Sequence, residues 1–435
     1  MKFTADHLAQ KLATELGDDR VSAEASTRAF HTIDGLQPIL VCLPETAEQL
    51  AAGLRVCSEA GATVVPYGGG TAMAIGNAAR DMDVVFDLKR FNRVIEHDDA
   101  NLTATVGAGI GLNELQVTLA RQKQFLSFDP PHPDRATIGG TIAANLNGPR
   151  RAYYGSVRDL VIGMKLVLAS GEPIKAGGKV VKNVAGYDMC KLFVGSLGTL
   201  GIITQVTLRT TPIPETAATV TASGTSAQVL NFAKDIAHSP LLPAAVVILN
   251  PFACQEMNNG DLDWKLAVGS EGFAETVARH ARDAKAMAER IGLRADLLQG
   301  NLHSQFWAGF RDLPLPPDRL VFRITVPLAS MAHTMATIES GQTDGFYPAL
   351  AGDAMAGILW IAAPPSKAAA SQFPKLVALA GEQRGHAVMF AAPSEFKQSV
   401  DVWGLPPAAL ALMRKIKQQF DPHGILNPGR HINRI

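Results

Sequence analysis

The sequence predicts an α+β protein built from two units. Glycine loops follow strands in the first half, a proline-rich break lies at Thr211-Pro212-Ile213-Pro214, and strands alternate with helices beyond it. The later alternation runs in a β-α-β-β-α-β order, which predicts a ferredoxin-like second unit.

The elements can be placed in chain order. Residues 43–66 read as strand–helix–strand: Thr46-Ala47-Glu48-Gln49 is a capping-box pattern, Leu50, Leu54 and Cys57 recur at helical spacing, and Gly61 ends the helix. Thr63-Val64-Val65 is a short buried strand running into Pro66. Further strands are expected at Val84–Leu88, Thr103–Val106, Leu160–Ala169 and Ile202–Arg209, with a helix marked by Leu112, Leu115 and Leu119. After the break, strands are expected at Trp264–Val268, Leu320–Pro327, Gly357–Ala362 and His386–Phe390. Helices are expected at Phe273–Ile291 and from Ala329 and Ser366. A tail helix at about 408–420 precedes two turns, Asp421-Pro422-His423-Gly424 and Asn427-Pro428-Gly429.

Composition narrows the class. With 47% hydrophobic and 18% charged residues the chain is globular rather than disordered. Forty basic residues balance forty acidic ones, so neither nucleic acid nor an anionic membrane is favoured as a partner. The four cysteines are far apart with no CxxC, which excludes a compact iron–sulfur or zinc motif and suggests buried thiols in a reducing cytosol. No apolar run approaches a membrane span and the N-terminus lacks a signal-peptide core, so a soluble cytoplasmic protein is expected.

Three glycine clusters carry the chemistry. Pro66-Tyr67-Gly68-Gly69-Gly70-Thr71-Ala72 follows a strand directly. Consecutive glycines let backbone amides approach an anion such as a pyrophosphate, although a lone triple glycine also makes a tight surface turn. The nicotinamide-type GxGxxG fingerprint is absent, and Gly107-Ala108-Gly109-Ile110-Gly111 has the wrong spacing. The second cluster is Ala136-Thr137-Ile138-Gly139-Gly140-Thr141-Ile142-Ala143-Ala144-Asn145, leading into Gly148-Pro149-Arg150-Arg151 and Tyr154-Gly155-Ser156-Val157-Arg158-Asp159. The third is Gly186-Tyr187-Asp188 with Gly195-Ser196-Leu197-Gly198-Thr199-Leu200-Gly201-Ile202-Ile203.

The order PYGGGTA, ATIGGTIAAN, YGSVRD, GSLGTLGIIT resembles the FAD-binding domain of the vanillyl-alcohol-oxidase (PCMH-type) superfamily. The resemblance covers roughly residues 35–212 and the tail FDPHGILNPGR. Within that superfamily NGPRRAYYGSVRD, GGKVVKNVAGYD, Phe306-Trp307 and Arg311 are similar to the E-type subunits of bacterial glycolate oxidases. It implies a PCMH-type FAD-binding domain of two α/β subdomains at 33–212. An N-terminal extension (1–32), a ferredoxin-like cap of the FAD-linked-oxidase C-terminal type (213–400) and a segment returning to the FAD domain (401–435) complete the chain.

The resemblance also implies site roles. Pro66 and Tyr67 to Ala72 (Gly68, Gly69, Gly70, Thr71) wrap the pyrophosphate; Ala136, Thr137, Gly139, Gly140 and Ala143 line the ribityl and phosphate path. Gly148 and Gly155 border the flavin, Gly201, Ile202 and Ile203 lie near the adenine end, and Asn427 returns to the flavin side. Some members attach FAD through a histidine in the first loop; this loop has none, which implies non-covalent FAD.

Other residues have two readings. Lys179, Lys182 and Lys191 are anion-attracting or a solvated face; Arg150, Arg151 and Arg158 serve FAD, a subunit contact or the surface. Trp307 and Arg311 face the flavin or pack the cap. His132 is a base or a loop residue, and Cys190 is core. Gly300-Asn301-Leu302-His303 is similar to the metal-binding GDGNLH of D-2-hydroxy-acid dehydrogenases, but Gln299 replaces the acid, so no metal is expected. Flavin oxidation of a 2-hydroxy acid needs a base and a cation for the carboxylate; the sequence assigns neither.

The resemblance therefore implies an FAD-binding subunit of a glycolate oxidase complex, beside a catalytic flavin subunit and an iron–sulfur subunit, with any membrane association through those partners. The alternatives are a stand-alone FAD-dependent D-2-hydroxy-acid dehydrogenase and an assembly subunit with an idle flavin site.

Overall fold

The computed structural model describes residues 4–179, 187–257, 262–316, 318–341 and 346–435. Lys182 and Gly186 lie outside the described residues.

The first sheet contains β1 (Val21–Ser22), β2 (Leu40–Cys42), β3 (Val64–Tyr67) and β4 (Val84–Asp87), in the order β1-β2-β4-β3. β2 and β3 both run parallel to β4. Their crossover is the helix Ala47–Ala60, whose Thr46 hydroxyl caps the amide of Gln49 and whose Gly61 takes φ +66° at the C-terminus. The segment before residue 33 is part of this unit. Helix Ala5–Leu16 buries Leu8, Leu12 and Leu16 against Leu50, Leu54 and Phe86, and β1 pairs with β2.

The second sheet is antiparallel: β5 (Val94–Asp98), β6 (Thr103–Gly107), β8 (Val161–Val167), β9 (Pro173–Gly177) and β10 (Ile202–Arg209), ordered β5-β6-β10-β8-β9. A short ladder of β7 (Gln124–Phe125) and β11 (Thr211–Pro212) closes it. β10 bridges the two cores, since Ile202 belongs to the first and Ile203 to the second. The result is a mixed α+β fold with two subdomains.

The cap departs from expectation by doubling. Its strands are β12 (Thr216–Gly224), β13 (Ala245–Leu249), β14 (Trp264–Gly272), β15 (Arg294–Gln299), β16 (Leu320–Thr325), β17 (Ala349–Asp353), β18 (Ile358–Ala363) and β19 (His386–Ala391). They form one sheet ordered β15-β12-β14-β13-β17-β18-β16-β19. The second half is a β-α-β-β-α-β unit and the first repeats it with a short helix, Pro251–Glu256, added between β13 and β14; the halves join where β13 meets β17 antiparallel. One face carries the cap helices over Val220, Leu266, Phe322 and Ile361; the other buries Val247, Ala351, Val388 and Phe390 against Ile75 and Leu146 of the first unit. Strands covered on both faces lose the alternating signature, which is why β12, β13 and β17 escape a periodicity reading.

After helix Leu410–Phe420 the tail returns to the first sheet. Val64 N donates to Ile425 O (2.8 Å) and Asn427 N to Val64 O (2.7 Å), a parallel bridge on β3. Among the described residues no helix is long and apolar enough to cross a membrane.

Candidate FAD and donor site

The glycine clusters converge because each needs the others' backbone close by. A Cβ on Gly69 would stand 1.8 Å from Arg135 O, one on Gly68 2.3 Å from Thr137 Oγ1, and one on Gly139 2.7 Å from Ala108 Cβ. A Cβ on Gly198 would stand 2.5 Å from Pro66 Cγ. These glycines therefore serve the protein's own packing first. Gly70, at φ +76°, turns the loop.

Between the clusters lies a cleft whose empty space, open solvent included, is about 760 Å³. Of the residues expected to bind cofactor, Pro66, Tyr67, Gly68, Gly69, Gly70, Thr71, Ala72, Thr137, Gly139, Gly140, Ala143, Gly201, Ile202, Ile203 and Asn427 line it. Met73, Leu88, Ala108, Leu197 and Arg430 join them without having been expected. The amides of Gly68, Gly69, Gly70, Thr71 and Ala72 donate to no protein acceptor among the described residues. Five successive free amides make an anion nest in a cavity that Arg430 also lines, and the remaining wall is mainly apolar. This donor set fits the diphosphate of FAD.

Three expected residues sit elsewhere. Ala136 is buried behind the loop, where its carbonyl accepts from Leu112 N (2.9 Å). Gly155, at φ +92°, terminates helix Arg151–Tyr154 and borders neither this cavity nor the next; its motif instead builds the Ser156–Asp159 capping box. Gly148 lines a second cavity.

That second cavity, about 520 Å³, lies between the FAD unit and the cap. Ala143 and Ala144 border the first cavity and Asn145 to Pro149 the second, so one stretch of chain forms a wall of both. The cap contributes Phe310, Arg311, Arg323, Asp353, Trp360 and Phe390. Arg323 is opposite Trp360 in the β16–β18 register, and its guanidinium carbon lies 5.9 Å from the Trp360 ring and 5.1 Å from that of Phe390. Neither Arg323 nor Arg151 pairs with a carboxylate among the described residues. Burial, reinforced by Arg151, pushes the Arg323 guanidinium down to about 10.

Asp353 ends β17 on the same face and is buried. Its Oδ1 accepts from the amides of Met355 (3.0 Å) and Ala356 (3.1 Å), while Oδ2 accepts from no protein donor among the described residues. Burial raises its carboxyl to about 7, against the pull of those two amides and Arg151. No signal in the sequence singled out either residue beyond a charge interrupting an apolar strand.

The other candidates have structural partners. Arg150 bridges Asp129 (3.4 Å) and Glu271 (3.5 Å) across the units, with Tyr154 donating to Glu271 at 2.8 Å. Trp307 Nε1 donates to Thr219 (2.8 Å), and Arg311 pairs with Asp312. The ring of His132 bonds Leu315 O at 2.7 Å, tying its loop to the cap. His303 bonds Thr219 (2.9 Å) at the start of helix Gly300–Asp312. Lys179 pairs with Glu96, Lys191 holds Val161 O (3.0 Å), Arg158 donates to Lys191 O, and Cys190 is buried.

Comparison with known proteins agrees with this geometry. Residues 38–177 match the FAD binding domain family, and residues 404–431 match the C-terminal domain of FAD linked oxidases. The chain is 29% identical over 424 residues to glycolate oxidase subunit GlcD of Bacillus subtilis, covering 90% of this chain and 88% of the relative. It is 29% identical over 351 residues to glycolate oxidase subunit GlcE of Escherichia coli, covering 79% and 86%. In fold it is similar to p-cresol methylhydroxylase with substrate bound, at TM-score 0.76 and 17% identity, covering 98% of this chain and 96% of the other. Glycine loops that converge on a free-amide nest, the two-subdomain fold and both family matches lead to one assignment: the chain carries an FAD binding domain over residues 38–177 and is an FAD-linked oxidoreductase.

Proposed function

We propose that the chain is the FAD-binding subunit of a glycolate-oxidase-type complex, oxidising glycolate to glyoxylate and handing the electrons to an iron–sulfur partner subunit. The observation that carries the donor class is Arg323, an unpaired guanidinium on the apolar cap face of the second cavity. A cation kept from protein carboxylates is suited to a substrate carboxylate, which it grips with two parallel N–H donors. Similarity to two glycolate oxidase subunits supports a small 2-hydroxy acid.

Bound FAD supplies the two-electron acceptor for the α-carbon hydrogen of the donor. The nest at Gly68–Ala72 and Arg430 would hold its diphosphate, and Asn147 and Gly148 would border its ring. Arg323 orients the donor by its carboxylate. Asp353 Oδ2 takes the hydroxyl proton, a task that suits a carboxyl titrating near pH 7. The cap sheet closes over the cavity and keeps water from the reacting carbon.

The presence of both groups on this chain also favours a second reading, a stand-alone 2-hydroxy-acid dehydrogenase. Dye-linked turnover of glycolate and D-lactate separates the two. A subunit is expected to be slow alone and to gain activity when co-purified with its partners; full activity of the isolated chain selects the second reading. An isolated chain and a native complex that both bind FAD yet oxidise no 2-hydroxy acid would rule out both.

A further inference from the structure

The loop that leaves the nest is held by buried charges from distant parts of the chain. Arg430 Nη2 donates to Met73 O (2.6 Å) and Ile75 O (2.7 Å), and Lys397 Nζ donates to Ala74 O (2.7 Å). Asp34 is the one carboxylate paired with either cation among the described residues: Oδ1 lies 3.0 Å from Lys397 Nζ, and Oδ2 meets Arg430 Nη1. The three side chains are 0%, 3% and 6% exposed for Lys397, Arg430 and Asp34. Lys397 comes from the end of the cap, Arg430 from the tail and Asp34 from the entry to the first sheet.

The charges do not balance. Two cations share one anion. Nearby, Asp401 accepts from Asn77 Nδ2 (3.2 Å) and Trp403 N (3.0 Å), and Arg434 donates to Lys397 O and Val400 O. Those two offset each other, so one positive charge remains in excess. Burial lowers both Lys397 and Arg430 from their ordinary values while Asp34 opposes the shift, as expected of cations under-compensated by their surroundings. Arg430 also lines the cavity that holds the free amides. A diphosphate there brings the missing negative charge.

We propose that Asp34, Lys397 and Arg430 form a charge-unbalanced latch, so that diphosphate binding in the nest and docking of the cap–tail segment (397–403 and 428–434) on the first subdomain strengthen each other. Lys397 and Asp34 are positioning residues in this scheme. The coupling is independent of which donor the enzyme oxidises.

The test uses flavin-free full-length protein with ADP, which carries the diphosphate and lacks the flavin ring; riboflavin is the control. Hydrogen exchange is followed at 397–403 and 428–434, and ADP affinity is read from the thermal shift. ADP, and not riboflavin, is expected to slow exchange in both segments. Lys397→Met is expected to weaken ADP about tenfold, the equivalent of one charge-assisted contact, and to abolish the remote protection. Asp34→Asn, which enlarges the positive excess, is expected to leave ADP at least as tight as in the wild type. A purely structural cluster predicts otherwise, because both variants would then weaken ADP alike. That result, or protection confined to residues 68–76, overturns the proposal. If Lys397→Met fails to fold, the wild-type exchange pattern and Asp34→Asn decide it.

Discussion

Arg323 stands directly across the β16–β18 ladder from Trp360, with its guanidinium over the indole and no carboxylate partner among the described residues. An unpaired cation on a covered sheet face is costly, and such sites persist where a ligand supplies the missing charge. Arg323→Met is expected to lower kcat/KM for glycolate about a hundredfold, or about 2.7 kcal/mol, through loss of the charged contacts. Arg323→Lys should recover only part, since it keeps the charge and loses the fork. Steady-state kinetics on both variants, with FAD content checked by visible spectrum, measure the effect. Wild-type kinetics in Arg323→Met would remove the donor assignment.

Asp353 gives a pH signature. Its carboxyl is raised to about 7, so kcat/KM should fall as pH drops through 7 and the base becomes protonated. Stability runs the opposite way. The folded chain holds this proton more tightly than the unfolded chain, so this group's contribution declines as pH rises from about 4 to 7. Asp353→Asn should therefore abolish the pH-dependent turnover, yet melt higher than wild type at pH 8 and no higher at pH 5. Melting curves at the two pH values check the sign.

Gly69→Val is expected to lose FAD and to lower the melting temperature as well, because the new Cβ falls 1.8 Å from Arg135 O. Gly381→Ala is a matched control. It lies in helix Phe373–Glu382 with nothing within 4 Å of the added carbon, and it should leave FAD content unchanged. Absorbance near 450 nm per mole of protein, roughly the flavin maximum, reads both. A fully yellow Gly69→Val protein would contradict the nest.

Acid precipitation should release all flavin to the supernatant. Among the described residues no histidine or cysteine lines either cavity, and the ring of His31, which packs on Tyr67, is bonded to Asp87 (3.1 Å) and Thr27 O (2.8 Å). Colour retained in the pellet would show a covalent link.

The FAD unit was legible because its signals are local. Thr46 and Gly61 bracket a helix, β-branched runs end in glycine loops, and the loops lie at the ends of strands as their order suggested. The cap was only half legible. Thr216–Gly224 is rich in Ala and Thr and is buried along most of its length, so nothing in its sequence separates an inner from an outer face. Arg323 was missed for a related reason: one charge in Leu-Val-Phe-Arg-Ile-Thr reads as solvent-facing until a second unit is known to cover that face. Gly155 serves a helix end, which a motif alone does not distinguish from close approach to a ligand. Among the latch residues, Asp34 lies 363 positions from Lys397 and 396 from Arg430, and no local pattern connects them.

The bridge between Val64 and Leu426 sets an order on biosynthesis. Residues 425–430 leave the ribosome after every glycine cluster has been made, so nascent chains expose the nucleotide loop without its last wall. A frameshift or early stop just before Ile425 should thus yield a colourless product, although all the loops that mark it as a flavoprotein have been translated.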